Sequence, residues 1–208
     1  MNVTLIDKMG DDLSVVNAAR VSFAKEVKHI SDKDEGLIRY LAKHDHWTPF
    51  SQVTYQVRIK APIFVARQWF KHMIGITRNE TSRRYVSSTP EFWSPYKWRL
   101  AADNKKQGSS DKFYENLDVS FAFQDLIRHC EDLYKNMINK NICPEQARAC
   151  LPQAMMTEWI ETGSIAAAAR IYKLRIDEDA QKEIQDLARY FSDEVSNIAP
   201  ISWKYLTN

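Results

Sequence analysis

The amino-acid sequence predicts an α+β fold: a single domain over residues 1–208, with a mainly antiparallel sheet and a helix-rich second half. Period-2 runs rich in β-branched residues lie in the first third of the chain. Apolar residues at three-to-four spacing dominate from residue 111 onward. No Pro/Gly/Ser linker, internal repeat or low-complexity tract divides the 208 residues. A chain of this length buries about 70% of its unfolded surface and folds without a disulfide or metal.

The elements follow in order. Residues 2–6 read as a short strand, and 15–23 as an apolar run opening with good helix formers. Ser31 or Asp32 suits the N-cap of a helix carrying Leu37, Ile38, Tyr40 and Leu41 and ending near His44. Residues 53–60 alternate apolar with polar and read as a half-buried strand. Pro62 then leads into a helix over 63–70. Residues 86–111, with Pro90, Pro95 and Gly108, read as loop with local turns. From Asp111 onward Phe113, Leu117, Phe121, Leu126, Leu133 and Met137 keep helical spacing, and Pro144 suits the first turn of a further helix. Two more helices are predicted over 155–174 and 178–198.

Composition excludes several classes. With 29 Lys+Arg against 27 Asp+Glu the net charge is +2, so no global field favours nucleic acid or an anionic membrane. Three cysteines at no ligand spacing suit reduced thiols in a cytoplasmic protein. The N-terminal stretch lacks an apolar core of signal-peptide length, and no window approaches ~18 uncharged apolar residues, so neither secretion nor membrane spanning is expected. The five glycines, at 10, 36, 75, 108 and 163, fit neither GxGxxG nor GxxxxGK[ST]. A nucleotide here would not sit on a Rossmann turn or a P-loop.

The densest chemistry lies in residues 67–85, where Arg67, Lys71, Arg78, Arg83 and Arg84 surround Gln68, His72, Glu80 and Ser82. Forked, permanently charged arginines beside a hydroxyl and a carboxylate suit a nucleotide phosphate together with a ribose or base edge. A charge run is ordinarily a solvated face. The interleaved Trp69, Phe70, Met73, Ile74 and Ile76 argue against that here.

At this stretch the sequence resembles the flavin-dependent thymidylate synthases. Their signature runs Arg-His-Arg, two residues, Ser, one residue, Asn-Glu, one residue, Ser, one residue, Arg-Tyr. Asn79-Glu80-Thr81-Ser82-Arg83-Arg84-Tyr85 fits its second half. Lys71-His72-Met73 stands where Arg-His-Arg is expected, one extra residue precedes Asn79, and Thr77 best matches the signature Ser. Further blocks match in order: Ala19-Arg20-Val21-Ser22-Phe23, His46-Trp47-Thr48-Pro49-Phe50, the lead-in from Ala61 to Phe70, Ala147-Arg148-Ala149-Cys150-Leu151-Pro152, and Leu174-Arg175-Ile176-Asp177 with Ala180-Gln181-Lys182-Glu183-Ile184. The resemblance spans roughly residues 2–200.

The resemblance implies reductive methylation of dUMP to dTMP, with FAD as redox cofactor, NADPH as reductant and methylenetetrahydrofolate as carbon donor. It implies dUMP binding by Gln68, Glu80, Ser82, Arg83, Arg84, Arg148 and Arg175, with Arg175 the catalytic residue that polarises the uracil ring. FAD would lie against Ser22, His46, Thr48, Lys71, His72, Ser164 and Arg170. The assembly implied is a homotetramer with active sites at subunit junctions, without nucleic-acid or membrane partners. Ser164 and Ala166 stand where members usually carry Asn and Arg, and Asp179 where a His is common, so the flavin contacts must differ; Arg170 is placed to replace the missing cation.

Other readings account for some of the same residues. A related folate-dependent hydroxymethyl transfer needs the same nucleotide site, and a pyrimidine-nucleotide-binding protein that has lost flavin would tolerate the substitutions at 71, 73, 164 and 166. His44 and His46 do not share a helix face and lack a third ligand, so no metal is expected. Cys150 has no adjacent base and reads as a structural thiol; Ser82 reads as a ligand contact rather than a nucleophile. Trp93, Tyr96 and Trp98 before Lys105-Lys106 read as a packed loop rather than a nucleic-acid platform.

Overall fold

The computed structural model describes residues 1–103 and 108–208, so Lys105 and Lys106 lie outside the described residues. In chain order the elements are β1 (Asn2–Met9), α1 (Asp12–Arg20), α2 (Asp32–Lys43), β2 (Thr54–Pro62), α3 (Ile63–Trp69), β3 (Ile76–Glu80), β4 (Arg99–Ala101), β5 (Ser109–Phe113), α4 (Asp118–Asn139), α5 (Pro144–Ala147), β6 (Met156–Ser164), α6 (Ile165–Arg175), α7 (Lys182–Val195) and α8 (Pro200–Thr207). The main sheet runs β1-β2-β6-β3 with every neighbour antiparallel, and β4 and β5 form a separate two-stranded ribbon. The α+β class with an antiparallel sheet is therefore as predicted.

The core lies between this sheet and α7. Strand β2 turns Tyr55, Val57, Ile59 and Ala61 inward at period 2. Helix α7 presents Ile184, Leu187, Ala188, Phe191 and Val195, all buried, as one stripe. Phe191 meets Tyr55 and Trp69 edge-on at centroid distances of 5.2 and 5.1 Å. Each such side chain contributes about 1.5–3 kcal/mol on burial. Ser31 caps α2 as predicted: the Asp34 carboxylate accepts from the Ser31 N–H at 3.0 Å and its hydroxyl at 2.6 Å. The same carboxylate takes Arg20 from α1, which locks the two helices together.

Four expectations are corrected. Residues 155–174 are not one helix: β6 occupies Met156–Ser164, and only α6 after it is helical. Its inward positions are Thr157, Trp159, Glu161 and Gly163, so the period-2 pattern is hidden by a buried carboxylate and a glycine. Within 86–111, β4 and β5 replace part of the expected loop, because Arg99 and Phe113 pair across the ribbon. The helix expected from Asp111 begins at Asp118, after β5. Helix α8 was not expected; buried Asp12 stabilises its start by accepting from Ile201 N (2.9 Å), Ser202 N (2.7 Å) and Ser202 Oγ (2.6 Å).

Candidate functional site

The C-terminal ends of α3 and α6 meet. Arg175, the last residue of α6, donates from Nε to His72 Nε2 at 2.8 Å and from Nη2 to the Gln68 carbonyl at 3.0 Å. Gln68 lies in the last turn of α3, whose terminal carbonyls need donors. The Gln68 amide donates to Gln181 Oε1 at 2.5 Å, Gln181 donates to Glu183 at 2.8 Å, and Arg99 of the ribbon donates to Glu183 at 2.6 Å. Three residues predicted for the site, Gln68, His72 and Arg175, are thus in one network.

The electrostatics follow from burial among cations. His72 is 9% exposed, and burial first, then the charges of Arg175, Arg170 and Arg78, push its imidazole down to about 4. It is neutral at pH 7. Burial also lowers Arg175, which stays a cation. Burial pushes the Glu183 carboxyl up, but the Arg99 and Gln181 hydrogen bonds more than reverse this and leave it below its ordinary value.

Beneath this network sits a carboxylate that sequence reasoning missed. Fully buried Glu161 accepts from Tyr55 Oη at 2.9 Å, Trp69 Nε1 at 2.9 Å and Arg78 Nε at 2.5 Å. Arg78 also donates from Nη1 to the His72 carbonyl at 2.6 Å and stands over the Phe70 ring at 5.2 Å. The one signal that would have found the pair is an acid on the inward face of an apolar strand, which demands a cation.

The second half of the basic stretch forms β3 and the turn after it. Glu80 accepts from Thr157 Oγ1 at 2.6 Å, and Ser82 Oγ accepts the Arg84 N–H at 3.3 Å. Arg84 and Arg148 converge on Glu145 of α5: Arg84 Nε on its carboxylate at 2.7 Å, Arg148 Nε on its carbonyl at 3.3 Å. Both guanidinium groups are exposed. Arg83 differs from its neighbours: it donates to the Ser88 carbonyl, faces the Tyr134 ring at 6.0 Å, and lines a cavity of about 200 Å³ with Thr81, Thr157 and Glu158.

The residues predicted for flavin divide into two groups. Ser22, His46, Thr48 and Lys71 are exposed, with no side-chain hydrogen bond among the described residues; His46 packs on Tyr40. Exposed Phe23 and Trp47 lie next to them in sequence. The other three are engaged within the chain. His72 holds Arg175, Ser164 caps α6 by accepting the Ala167 N–H at 3.3 Å, and Arg170 donates to the Ile74 carbonyl at 2.9 Å. Hydroxyls, an ammonium and apolar rings are of the chemistry that meets phosphates and a planar ring system. Cys150 donates from Sγ to the Ala147 carbonyl at 3.2 Å, and burial first, then Cys130, raises its thiol.

Comparison with known proteins agrees with the resemblance. A sequence model of the family described as thymidylate synthase complementing protein matches residues 4–201. The flavin-dependent thymidylate synthase of Thermus thermophilus is 35% identical over 201 residues, covering 97% of this chain and 73% of the relative. The chain belongs to the flavin-dependent thymidylate synthase family. It is therefore an enzyme, of a methyltransferase family. The flavin-dependent thymidylate synthase of Thermosipho africanus is 38% identical over 186 residues, 88% of this chain and 81% of that one. Among solved structures, the UMP/dUMP methylase PolB from Streptomyces cacaoi, bound with 5-Br dUMP, superposes with a TM-score of 0.85 at 26% identity, covering 99% of this chain and 94% of that one. The Arg78–Glu161 pair and the contacts that join Gln181, Glu183 and Arg99 are seen only in the folded molecule.

Proposed function

We propose that the protein reductively methylates dUMP to dTMP, with methylenetetrahydrofolate as carbon donor, FAD as redox cofactor and NADPH as reductant. The observation that carries this reading is Arg175. Two of its nitrogens are held by His72 and Gln68, and Nη1 is left as a fixed donor. A fixed, partly desolvated cation stabilises negative charge developing on a pyrimidine carbonyl oxygen more than a mobile one does. Arg84 and Arg148, brought together at Glu145, suit the phosphate as forked donors, and Glu80, Ser82 and Gln68 suit the ribose and base edges.

Ser22, His46, Thr48 and Lys71 would hold FAD, which supplies the reducing equivalents when bound. Arg170 and Ser164 would act beside them by shaping the Ile74 loop and the start of α6. We place the nucleotide site at a junction of subunits in a homotetramer. Helix α4 supports an assembly: of its 22 residues only Tyr134 is buried, while Phe121, Leu126 and Leu133 lie exposed. No helix among the described residues is long and apolar enough to cross a membrane. A cytoplasmic location completes the reading.

The test is product analysis by mass after incubation with dUMP, methylenetetrahydrofolate and NADPH, with and without added FAD. dTMP formed only with flavin present supports the proposal. A hydroxymethylated nucleotide, or unchanged dUMP with a flavin-loaded protein, overturns it.

A further inference from the structure

We infer that His72 is a positioning residue for Arg175: its imidazole, carrying the proton on Nδ1, accepts the Arg175 Nε–H and, with the Gln68 carbonyl, sets the direction of the guanidinium. This rests on the reading that Arg175 acts on the pyrimidine. It gives the His72 side chain a role on the nucleotide side of the site.

The donor chemistry decides the tautomer. Arg offers only donors, so a ring nitrogen 2.8 Å from Arg175 Nε must be an unprotonated acceptor. Arg175 touches the ring, and the charges of Arg170 on α6 and Arg78 on β3 also act on it, so a charged imidazole would meet three like charges. The ring is also too buried to serve as an open phosphate donor.

His72 is itself held in place. Arg78 Nη1 grips its carbonyl at 2.6 Å, and Arg78 is locked by fully buried Glu161 on one side and the Phe70 face on the other. Arg78 Nη2 is buried without a hydrogen-bond partner among the described residues, a cost tolerated where the other two nitrogens fix the turn. The chain from Glu161 through Arg78 and His72 thus ends on Arg175, linking β6, β3, the α3 turn and α6. A long, flexible guanidinium is aimed by contacts made before substrate arrives.

The experiment compares His72→Leu with His72→Gln in the full-length, flavin-loaded protein. Gln places an amide oxygen near the position of Nε2; Leu removes the acceptor. His72→Leu should keep its flavin absorbance and bind dUMP within about threefold of wild type, yet lose about tenfold or more in single-turnover methyl transfer; His72→Gln should regain most of that rate. Loss of flavin from a folded His72→Leu protein overturns the inference in favour of a flavin contact. A His72→Gln protein as slow as His72→Leu overturns it as well.

Two-bond proton–nitrogen spectra of the imidazole in wild type need neither folding of a variant nor turnover. Nε2 should be unprotonated at pH 7, and Arg175→Ala should shift its resonance. A protonated Nε2, or a resonance unmoved by Arg175→Ala, contradicts the pairing. Failure of the wild type to make dTMP would instead count against the proposed function, leaving these spectra to judge His72.

Discussion

Tyr55 and Gly163 face each other across β2 and β6, and the Tyr55 hydroxyl oxygen lies 2.8 Å from where a β-carbon on Gly163 would stand. The same hydroxyl donates to Glu161, two residues back on the same face of β6. Gly163 is therefore small so that Tyr55 can reach the buried carboxylate. A side chain there would displace the phenol and loosen the network under the site.

Gly163→Ala should lower stability by about 1–3 kcal/mol, since the clash involves a fully buried ring that cannot retreat. Gly36, inside α2 with nothing within 4 Å of an added β-carbon, behaves oppositely. Gly36→Ala should raise stability by about 0.5–1 kcal/mol. Urea denaturation of both variants checks the pair, and equal effects of one sign would contradict the packing argument.

Removing one partner of the buried ion pair should be worse than removing both. Glu161→Leu strands Arg78 and leaves the Tyr55 and Trp69 donors unmet, at a cost of about 3–5 kcal/mol. Adding Arg78→Met should recover part of that loss. A double-mutant cycle on unfolding free energies reads the coupling, expected at about 1–3 kcal/mol. Strict additivity would show that the two charges do not depend on each other.

The pH dependence has a definite sign. His72 titrates near its ordinary 6.5 in the unfolded chain and at about 4 in the folded one. Between these values the unfolded state binds the extra proton, so stability falls as pH drops from about 6.5 toward 4 and levels off below. The depressed carboxyls of Asp34 and Glu183 withdraw their contributions only below their ordinary 3.8 and 4.5. Urea midpoints measured from pH 7 down to 4.5 should therefore decline in wild type and stay flatter in His72→Gln. An unchanged slope in the variant would move the effect to another group.

Cys150→Ser should fold, hold flavin and keep most of its methyl-transfer activity. The thiol donates to a carbonyl and burial raises it, both of which oppose thiolate formation. Single-turnover product formation is the measurement. A folded, flavin-bound but inactive Cys150→Ser protein would establish covalent thiolate chemistry.

Much of this molecule was legible residue by residue. The β-branched alternation of β2, the Ser31 cap of α2, and Pro144 opening α5 are local signals, and each produced the expected element. The motif residues Gln68, His72 and Arg175 were also named from sequence, but their mutual contacts were not, because Arg175 ends α6, 107 and 103 positions after Gln68 in α3 and His72 in the turn behind it. What misled the reading was polar burial: Glu161 and Gly163 broke the apolar pattern of β6, and a central strand read as helix.

The sequence by itself determined the α+β class, the cap of α2 and the identity of the basic cluster, all set by neighbours within a few positions. Tertiary structure decided which charged residues go inside. Glu161 can be buried only because Arg78 reaches it from 83 residues away, and Arg175 is aimed only because His72 and Gln68 meet it from more than 100 positions earlier. A charge leaves water only when its partner arrives, and that partner is a property of the fold rather than of any local stretch of chain.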